Sequence, residues 1–564
     1  MQSLPSKWRF RLCGLCLCAL PVALVWHLAH LQVLPGQEKG YLFLQEQGLA
    51  RTLRTEKINA YRGVIMDRNG ELLAVSTPVI SIFANPQRIK SAEVPSIAEA
   101  LGMTEKALRD RLKTYADKQF VYLERHLPPQ EATPILAMNF AGVAAQQEYQ
   151  RYYPSGEVAA HIVGFTDIND RGQEGMELAL DEWLSGAPGA KQVVKDLHGN
   201  IVKNLGLVRA SESGKDVRLS IDLRLQYLAY RELKAAVAGE NAKAGSLVIL
   251  DVATGDILAM VNQPSYNPND RSTLHPQQMR NRAITDVLEP GSTLKPFTVM
   301  AALETGRYTP DTKINTHPGY LQVGEKTLLD HRDYGIIDVT TVLTKSSQVG
   351  VSKIALDLDP QRVPNLLHRV GLGRLSGTGF PGERLGVFPN PSRWSDIERA
   401  TLAFGHGISV TALQLAQAYA TIASGGIRRP VSLLKRAEVP DGKQVVSDVI
   451  ANQVRDMLKT VTQAGGTATR AQIPAYGVAG KTGTAHKVGE TGYLDHKYVA
   501  LFAGMAPADN PRLVAVVIID EPSDGGYYGG EAAAPVFAEV VEGALRLLDV
   551  PPTSGVQQIA QRGH

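Results

Sequence analysis

The run from Leu12 to Leu34 contains no Asp, Glu, Lys or Arg. As a helix it would span about 34 Å, enough to cross a hydrocarbon layer of roughly 30 Å. Lys7, Arg9 and Arg11 precede it, so the positive flank predicts a cytoplasmic N-terminus and an exported body. With no small-x-small cleavage pattern after the run, the segment reads as an uncleaved single-pass anchor (12–34) behind a short tail (1–11). The pattern then changes to short strands, turns and amphipathic helices over 35–214. Val64-Ile65-Met66 and Leu72–Val75 flank Asp67-Arg68-Asn69-Gly70, which predicts a hairpin closed at Asn-Gly. Arg151–Gly156 reads as a strand end and turn. Gly175-Met176-Glu177 is expected to open one helix running toward Trp183 and Leu184. This region reads as an extended interaction or spacer region.

From Lys215 the elements become longer. Leu223 to Val237 has helical periodicity, and Leu247–Leu250 and Ile257–Val261 read as strands around Ala253-Thr254-Gly255-Asp256. Thr411 caps a helix that ends near Ser424-Gly425-Gly426. Tyr498–Met505 and Leu513–Ile519 read as adjacent antiparallel strands, and a last helix ends near Leu548. Strands flanking a block of helices predict an α+β domain over 215–548, one sheet packed against helices, before a polar tail, 549–564.

Composition narrows the class. A chain of 564 residues exceeds a single core, and 44% hydrophobic with 20% charged residues is a globular balance. Disordered, collagen-like and polytopic membrane proteins are excluded. A formal charge of +3 offers no electrostatic basis for binding nucleic acid. Cys13, Cys16 and Cys18 all lie in the apolar run, so there is no disulfide framework, and Cys13-Gly-Leu-Cys16 reads as small lipid-tolerant residues. The cysteine-free remainder suits an oxidising compartment such as a periplasm. The thirteen histidines show no metal-ligand spacing, so neither metal nor cofactor is expected.

Ser292-Thr293-Leu294-Lys295 is the first chemical signal. On a helix, residues three apart share a face, so the lysine amine can sit beside the serine hydroxyl as its base. Pro296 is tolerated only in a first turn, so the helix is expected to begin near Ser292 or Thr293, with free N–H groups available to an oxyanion. Ser432-Leu433-Leu434-Lys435 repeats the spacing in strand context, where residues three apart face opposite sides, and is rejected. Lys481-Thr482-Gly483-Thr484 is expected on an exposed edge strand, with Gly483 allowing close approach and hydroxyls and an ammonium facing a ligand carboxylate. Between them, Lys345-Ser346-Ser347-Gln348 opens an apolar stretch. Gly371-Leu372-Gly373 lacks a dinucleotide-binding context, Gly405-His406-Gly407 reads as a turn, and His331 beside Asp330 and Asp333 reads as surface charge.

The order Ser292/Lys295, Ser346, Lys481 resembles the three active-site motifs of penicillin-binding transpeptidases. With Arg62–Gly70, Arg151–Gly156, Gly175–Glu177, Ser220–Gln226 and Glu289–Ser292 as supporting stretches, the whole chain resembles a class B, division-type penicillin-binding protein. The resemblance implies a penicillin-binding/serine β-lactamase-like domain, an elongated N-terminal pedestal of dimerisation type and one transmembrane helix in a bacterial inner membrane. It implies a peptidoglycan D,D-transpeptidase of septal wall synthesis. Ser292 would attack the D-Ala-D-Ala bond, Lys295 would accept its proton, and Ser346 and Lys481 would relay a proton to the leaving amine. The N–H groups of Ser292 and Thr484 would form the oxyanion hole, and Thr482 and Thr484 would hold a carboxylate of substrate or β-lactam. Tyr527 and Tyr528 would form an aromatic wall. Implied partners are stem peptides with a diaminopimelate acceptor, β-lactam antibiotics, a SEDS-family glycan polymerase and other division proteins. Gln348 departs from the family's asparagine by one methylene, which implies altered substrate or antibiotic preference. It also keeps open a catalytically weak division scaffold, beside a β-lactam sensor or serine β-lactamase.

Overall fold

The computed structural model describes residues 7–33, 40–195, 201–272, 274–389, 393–489, 492–524 and 526–553. Residues 1–6 of the expected N-terminal tail, Leu34 of the expected anchor and 554–564 of the C-terminal tail lie outside the described residues. The helix Lys7–Gln32 is long and apolar enough to cross a membrane. Cys13, Cys16 and Cys18 are exposed on it.

The rest divides into two compact units, and not at a single point. The first contains residues up to Tyr61 together with Pro78–Tyr149 and Ser185–Gly214. Its core gathers Ile82, Ala84, Ile97, Leu108, Leu123 and Ala132 where strands meet the helices Val94–Ala100 and Glu105–Thr114. Leu53–Ile58, Gly189–Lys195 and Ile201–Arg209 form a separate three-stranded sheet.

The second unit contains Arg62–Thr77, Gln150–Leu184 and Lys215 onward. Its centre is a five-stranded antiparallel sheet in the order Ile257–Gln263, Ala244–Asp251, Leu513–Asp520, Gly492–Ala506, Ala479–Gly489. Every residue of Ala244–Asp251 is buried, so helices must cover both faces of the sheet. Leu223–Gly239, capped by the Asp222 carboxylate on the Arg224 N–H, packs with Ala534–Leu547, and Ala412–Ala423 packs on the same central strands. The expected cap is present there: Thr411 Oγ1 accepts from Gln414 N–H, and the Gln414 side chain returns a bond to Thr411 N–H. The expected pairing of the last two long strands is present as well, from Val499 with Asp520 to Ala506 with Leu513.

The predicted hairpin forms, with Ile65 opposite Ala74 and Asp67 Oδ1 accepting from Asn69 N–H at 2.7 Å. The single helix expected from Gly175 is instead two, Gly175–Ala179 and Asp181–Ser185. The break leaves Asp181 bonded to Arg62 Nη1 at 2.7 Å. Arg62 Nε and Arg151 Nε donate to opposite oxygens of Glu177, at 2.7 and 2.6 Å, and all three side chains are buried. Three of the stretches that carried the resemblance thus meet in one ion cluster. The rejected Ser432/Lys435 copy is spent locally: Ser432 Oγ donates to the Leu434 carbonyl at 2.8 Å and Lys435 Nζ to the Arg68 carbonyl at 2.9 Å.

Candidate active site

Ser292 lies in the tight turn Gly291–Leu294, which runs directly into the helix Lys295–Leu303. Pro296 falls in the first helical turn, as its missing N–H requires. Gly291 adopts φ +53°, the left-handed region glycine tolerates. A Cβ on Gly405 would lie 2.3 Å from the Gly291 carbonyl oxygen, so two glycine backbones touch beside the Ser292 turn. On its other side the turn meets the edge strand: a Cβ on Gly483 would lie 2.9 Å from both the Pro290 carbonyl and Thr293 Cγ2. Ser292 is partly exposed, and its Oγ makes no hydrogen bond among the described residues.

The two lysines meet at Ser346. Lys295 Nζ donates to Ser346 Oγ at 3.1 Å and to the Ser346 carbonyl, and Lys481 Nζ donates to the same Oγ at 3.0 Å. The amine expected beside Ser292 is therefore engaged with Ser346. Both lysines are fully buried. Burial strips water from the Lys295 ammonium and lowers its pKa from 10.5 to about 7, with the Asp330 carboxylate pulling the other way. Burial, and then the charge of Lys295, pushes Lys481 well below its ordinary range. Around neutral pH the Lys295 amine beside the Ser346 hydroxyl can thus take and return a proton.

Ser346 itself has φ +58°, a conformation that costs about 1–2 kcal/mol for a residue with a Cβ. The helix Gln348–Asp357 that follows is fixed by Asp330. Its carboxylate accepts from Ser347 Oγ at 2.6 Å, Gln348 N–H at 2.6 Å and Val349 N–H at 3.1 Å. Asp330 is therefore not the surface charge expected from sequence; it is half-buried and holds the turn that presents Ser346. His331 and Asp333 are exposed. The Gln348 side chain makes no hydrogen bond among the described residues.

The strand Ala479–Gly489 is the sheet edge, as expected, but not an exposed one: Lys481 is 0% and Thr482 8% accessible. The Ser292 turn and the helix Asp448–Thr462 pack on it. Thr482 Oγ1 lies 2.9 Å from Thr467 Oγ1, and Thr484 Oγ1 accepts from Gly529 N–H at 3.1 Å. Tyr527 and Tyr528 precede that glycine. Tyr527 stacks on Tyr498 with ring centroids 4.2 Å apart and donates to the Tyr528 hydroxyl at 3.1 Å. That bond, and then burial, raises Tyr528 to about 12.

All ten residues read from sequence fall on this one assembly: the Ser292 turn, the lysine–serine–lysine junction, Gln348 beside it, the Thr482–Thr484 strand and the two tyrosines. Sequence reasoning missed Asp330, Thr467, Glu289, His406 and Tyr493. Asp330 precedes Ser346 by the short strand Ile336–Asp338 and the helix Val339–Thr344, a distance at which no spacing rule applies. Glu289 stood inside a quoted motif without a role. A partly exposed hydroxyl at a helix start, two amines of lowered pKa and a hydroxyl between them are a set suited to acyl transfer.

The chain matches the penicillin binding protein transpeptidase domain over residues 245–542 and the penicillin-binding protein dimerisation domain over 57–219. It belongs to the class B penicillin-binding proteins. It is 43% identical to the peptidoglycan D,D-transpeptidase FtsI of Escherichia coli, covering 97% of this chain and 93% of that one. It is 41% identical to the probable peptidoglycan D,D-transpeptidase PbpC of Pseudomonas aeruginosa, covering 98% and 97%. Among solved structures, the transpeptidase domain of Burkholderia pseudomallei penicillin-binding protein 3 is 42% identical over 59% of this chain and 97% of that one, with TM-score 0.55. Penicillin-binding protein 3 of Mycobacterium tuberculosis complexed with aztreonam is 28% identical over 88% and 98%, with TM-score 0.69.

Proposed function

We propose that this protein is a peptidoglycan D,D-transpeptidase of septal wall synthesis working through a Ser292 acyl-enzyme. The observation that carries the reading is the hydrogen-bonded Lys295–Ser346–Lys481 junction, both amines lowered by burial, beside the turn that holds Ser292. A neutral Lys295 takes the Ser292 proton as Oγ attacks the carbonyl between the terminal D-Ala residues. The C–N bond breaks, and Ser346 and Lys481 pass a proton to the departing D-Ala amine. The N–H groups of Ser292 and Thr484 hold the oxyanion, and Thr482 and Thr484 hold the terminal carboxylate. Tyr527 and Tyr528 wall the donor, and an amine from a neighbouring strand, of diaminopimelate type, takes the acyl group. β-Lactams acylate the same serine, a reading supported by the relative's complex with aztreonam.

Gln348, at the start of its helix with an uncommitted amide, contacts the donor's side-chain amide and sets antibiotic preference. The helix Lys7–Gln32 anchors the chain in the inner membrane with its N-terminus cytoplasmic. Residues 35–214 then serve as pedestal and 215–548 as the catalytic domain in the periplasm. A SEDS-family polymerase and other division proteins bind through the anchor and pedestal. Intact-mass measurement with a labelled penicillin tests the reading. One adduct mapping to Ser292 and lost in Ser292→Ala is expected; an adduct elsewhere, or none, overturns it.

A further inference from the structure

Gly405-His406-Gly407, a turn by sequence, carries an acid–imidazole pair that the mechanism above does not use. His406 Nδ1 lies 3.0 Å from Glu289 Oε2. Glu289 also accepts from Gly407 N–H at 2.9 Å and from the Tyr493 hydroxyl at 3.0 Å. Burial alone would raise the Glu289 pKa, but its bonds with His406, Gly407 and Tyr493 outweigh burial and hold it below the usual range. Nδ1 lies at the same 3.0 Å from the Tyr493 hydroxyl; that hydroxyl donates to the Glu289 carboxylate, which can only accept, so in the neutral imidazole Nδ1 carries the proton and Nε2 the lone pair. Nε2 makes no hydrogen bond among the described residues. Carboxylate, imidazole and free Nε2 are the parts of an oriented general base.

Its position is fixed by the glycine contact. Gly291 N–H donates to the Gly405 carbonyl at 3.3 Å, and each glycine is one Cα step, about 3.8 Å, before Ser292 or His406. The ring also lies on the rim of the site. Ring contacts run His406–Tyr493 (6.1 Å), Tyr493–His486 (6.0 Å), His486–Tyr498 (4.6 Å), Tyr498–Tyr527 (4.2 Å), Tyr527–Tyr528 (4.4 Å) and Tyr528–His331 (6.2 Å). The arc thus joins the nucleophile's flank to the Asp330 loop. An acceptor amine arrives as a cation and must lose a proton before it can attack. The Glu289 carboxylate attracts it.

We propose that His406, oriented by Glu289, is the general base toward the acceptor amine in the second half-reaction, an inference that rests on the proposed transpeptidase function. His406 Nε2 takes one proton from the ammonium. The nitrogen lone pair forms the C–N bond to the acyl carbon, and the C–Oγ bond of Ser292 breaks. A second nitrogen proton reaches Ser292 Oγ through the Ser346 junction, the third stays on the new amide, and the imidazolium returns its proton to water.

The test uses the full chain in detergent with a D-alanyl thioester donor and a D-amino acid as acceptor. It measures aminolysis, hydrolysis and penicillin acylation separately. His406→Gln is expected to lower the aminolysis-to-hydrolysis ratio ~100-fold, the lower end of the range for a lost general base, with far less loss of penicillin acylation. Glu289→Gln, which frees the tautomer, is expected to lower the ratio in the same direction by ~10-fold, short of the loss from removing the base itself. An unchanged ratio, or acylation falling in parallel, overturns the role of His406 while leaving Ser292 in place. A wild-type protein that forms no Ser292 adduct overturns both readings.

Discussion

Replacing Lys295 by Met removes the amine while keeping an unbranched side chain of similar volume in a fully buried position. The amine's pKa falls from 10.5 to about 7 on folding, and at about 1.4 kcal/mol per unit the folded protein prefers it neutral by about 5 kcal/mol. Because the folded-state value is depressed, the unfolded chain binds the proton more readily between pH 7 and 10.5. Wild-type stability therefore rises with pH across that window, and Met has nothing to titrate. Lys295→Met should relieve a cost of about 4 kcal/mol near pH 7.5 and only about 2 kcal/mol near pH 9. The Ser346 carbonyl and hydroxyl each lose a donor, which takes back about 1–3 kcal/mol at either pH. The expected result is a variant that forms no penicillin adduct yet is more stable at neutral pH, with the advantage shrinking by about 2 kcal/mol toward pH 9. Urea unfolding at the two pH values reads that difference, and intact mass reads the adduct. Parallel curves, or acylation retained by the variant, would refute a neutral buried lysine as the base.

Asp330→Asn removes the carboxylate that raises the Lys295 pKa, so the acid limb of the penicillin acylation profile should move to lower pH. Loss of its capping bonds should cost about 1 kcal/mol in urea unfolding. Gly483→Ala drives a methyl against the Pro290 carbonyl and Thr293 Cγ2, each at 2.9 Å. It should lower stability by about 1–3 kcal/mol and slow acylation, since the displaced turn carries Ser292. Glu177→Gln leaves Arg62 and Arg151 buried without their shared carboxylate, and a loss of about 3–5 kcal/mol is expected in denaturant unfolding.

The long elements were legible because each declares itself locally. Thr411 and Gln414 mark a helix start within four residues, and the all-apolar runs at Leu247–Leu250 and Leu513–Ile519 fit only strands covered on both faces. The candidate site residues were legible for a different reason: Ser292, Lys295, Ser346 and Lys481 sit in short motifs whose order is distinctive. Contacts that arise only when distant segments fold together left no local mark. Asp330 caps a helix from beyond an intervening strand and helix, and His406 meets Glu289 through a glycine–glycine approach. The burial of Lys481 follows from a turn and a helix closing over a strand whose own pattern reads as polar.

The interleaving of the two units bears on how such a gene can be inherited in pieces. A recombination joint falling between codons 78 and 149 would take Arg62 from one parent and Arg151 and Glu177 from the other, splitting one buried ion cluster across two ancestries. A joint after codon 184 passes the cluster on whole. It instead divides ancestry at the backbone pairing of Val64 and Met66 with Val217 and Leu219, together with side-chain bonds such as Val64 N–H to Asp216 and Leu223 N–H to Asp67. Gene segments of this protein are therefore exchangeable to different degrees, and least so where a joint splits the buried ion cluster.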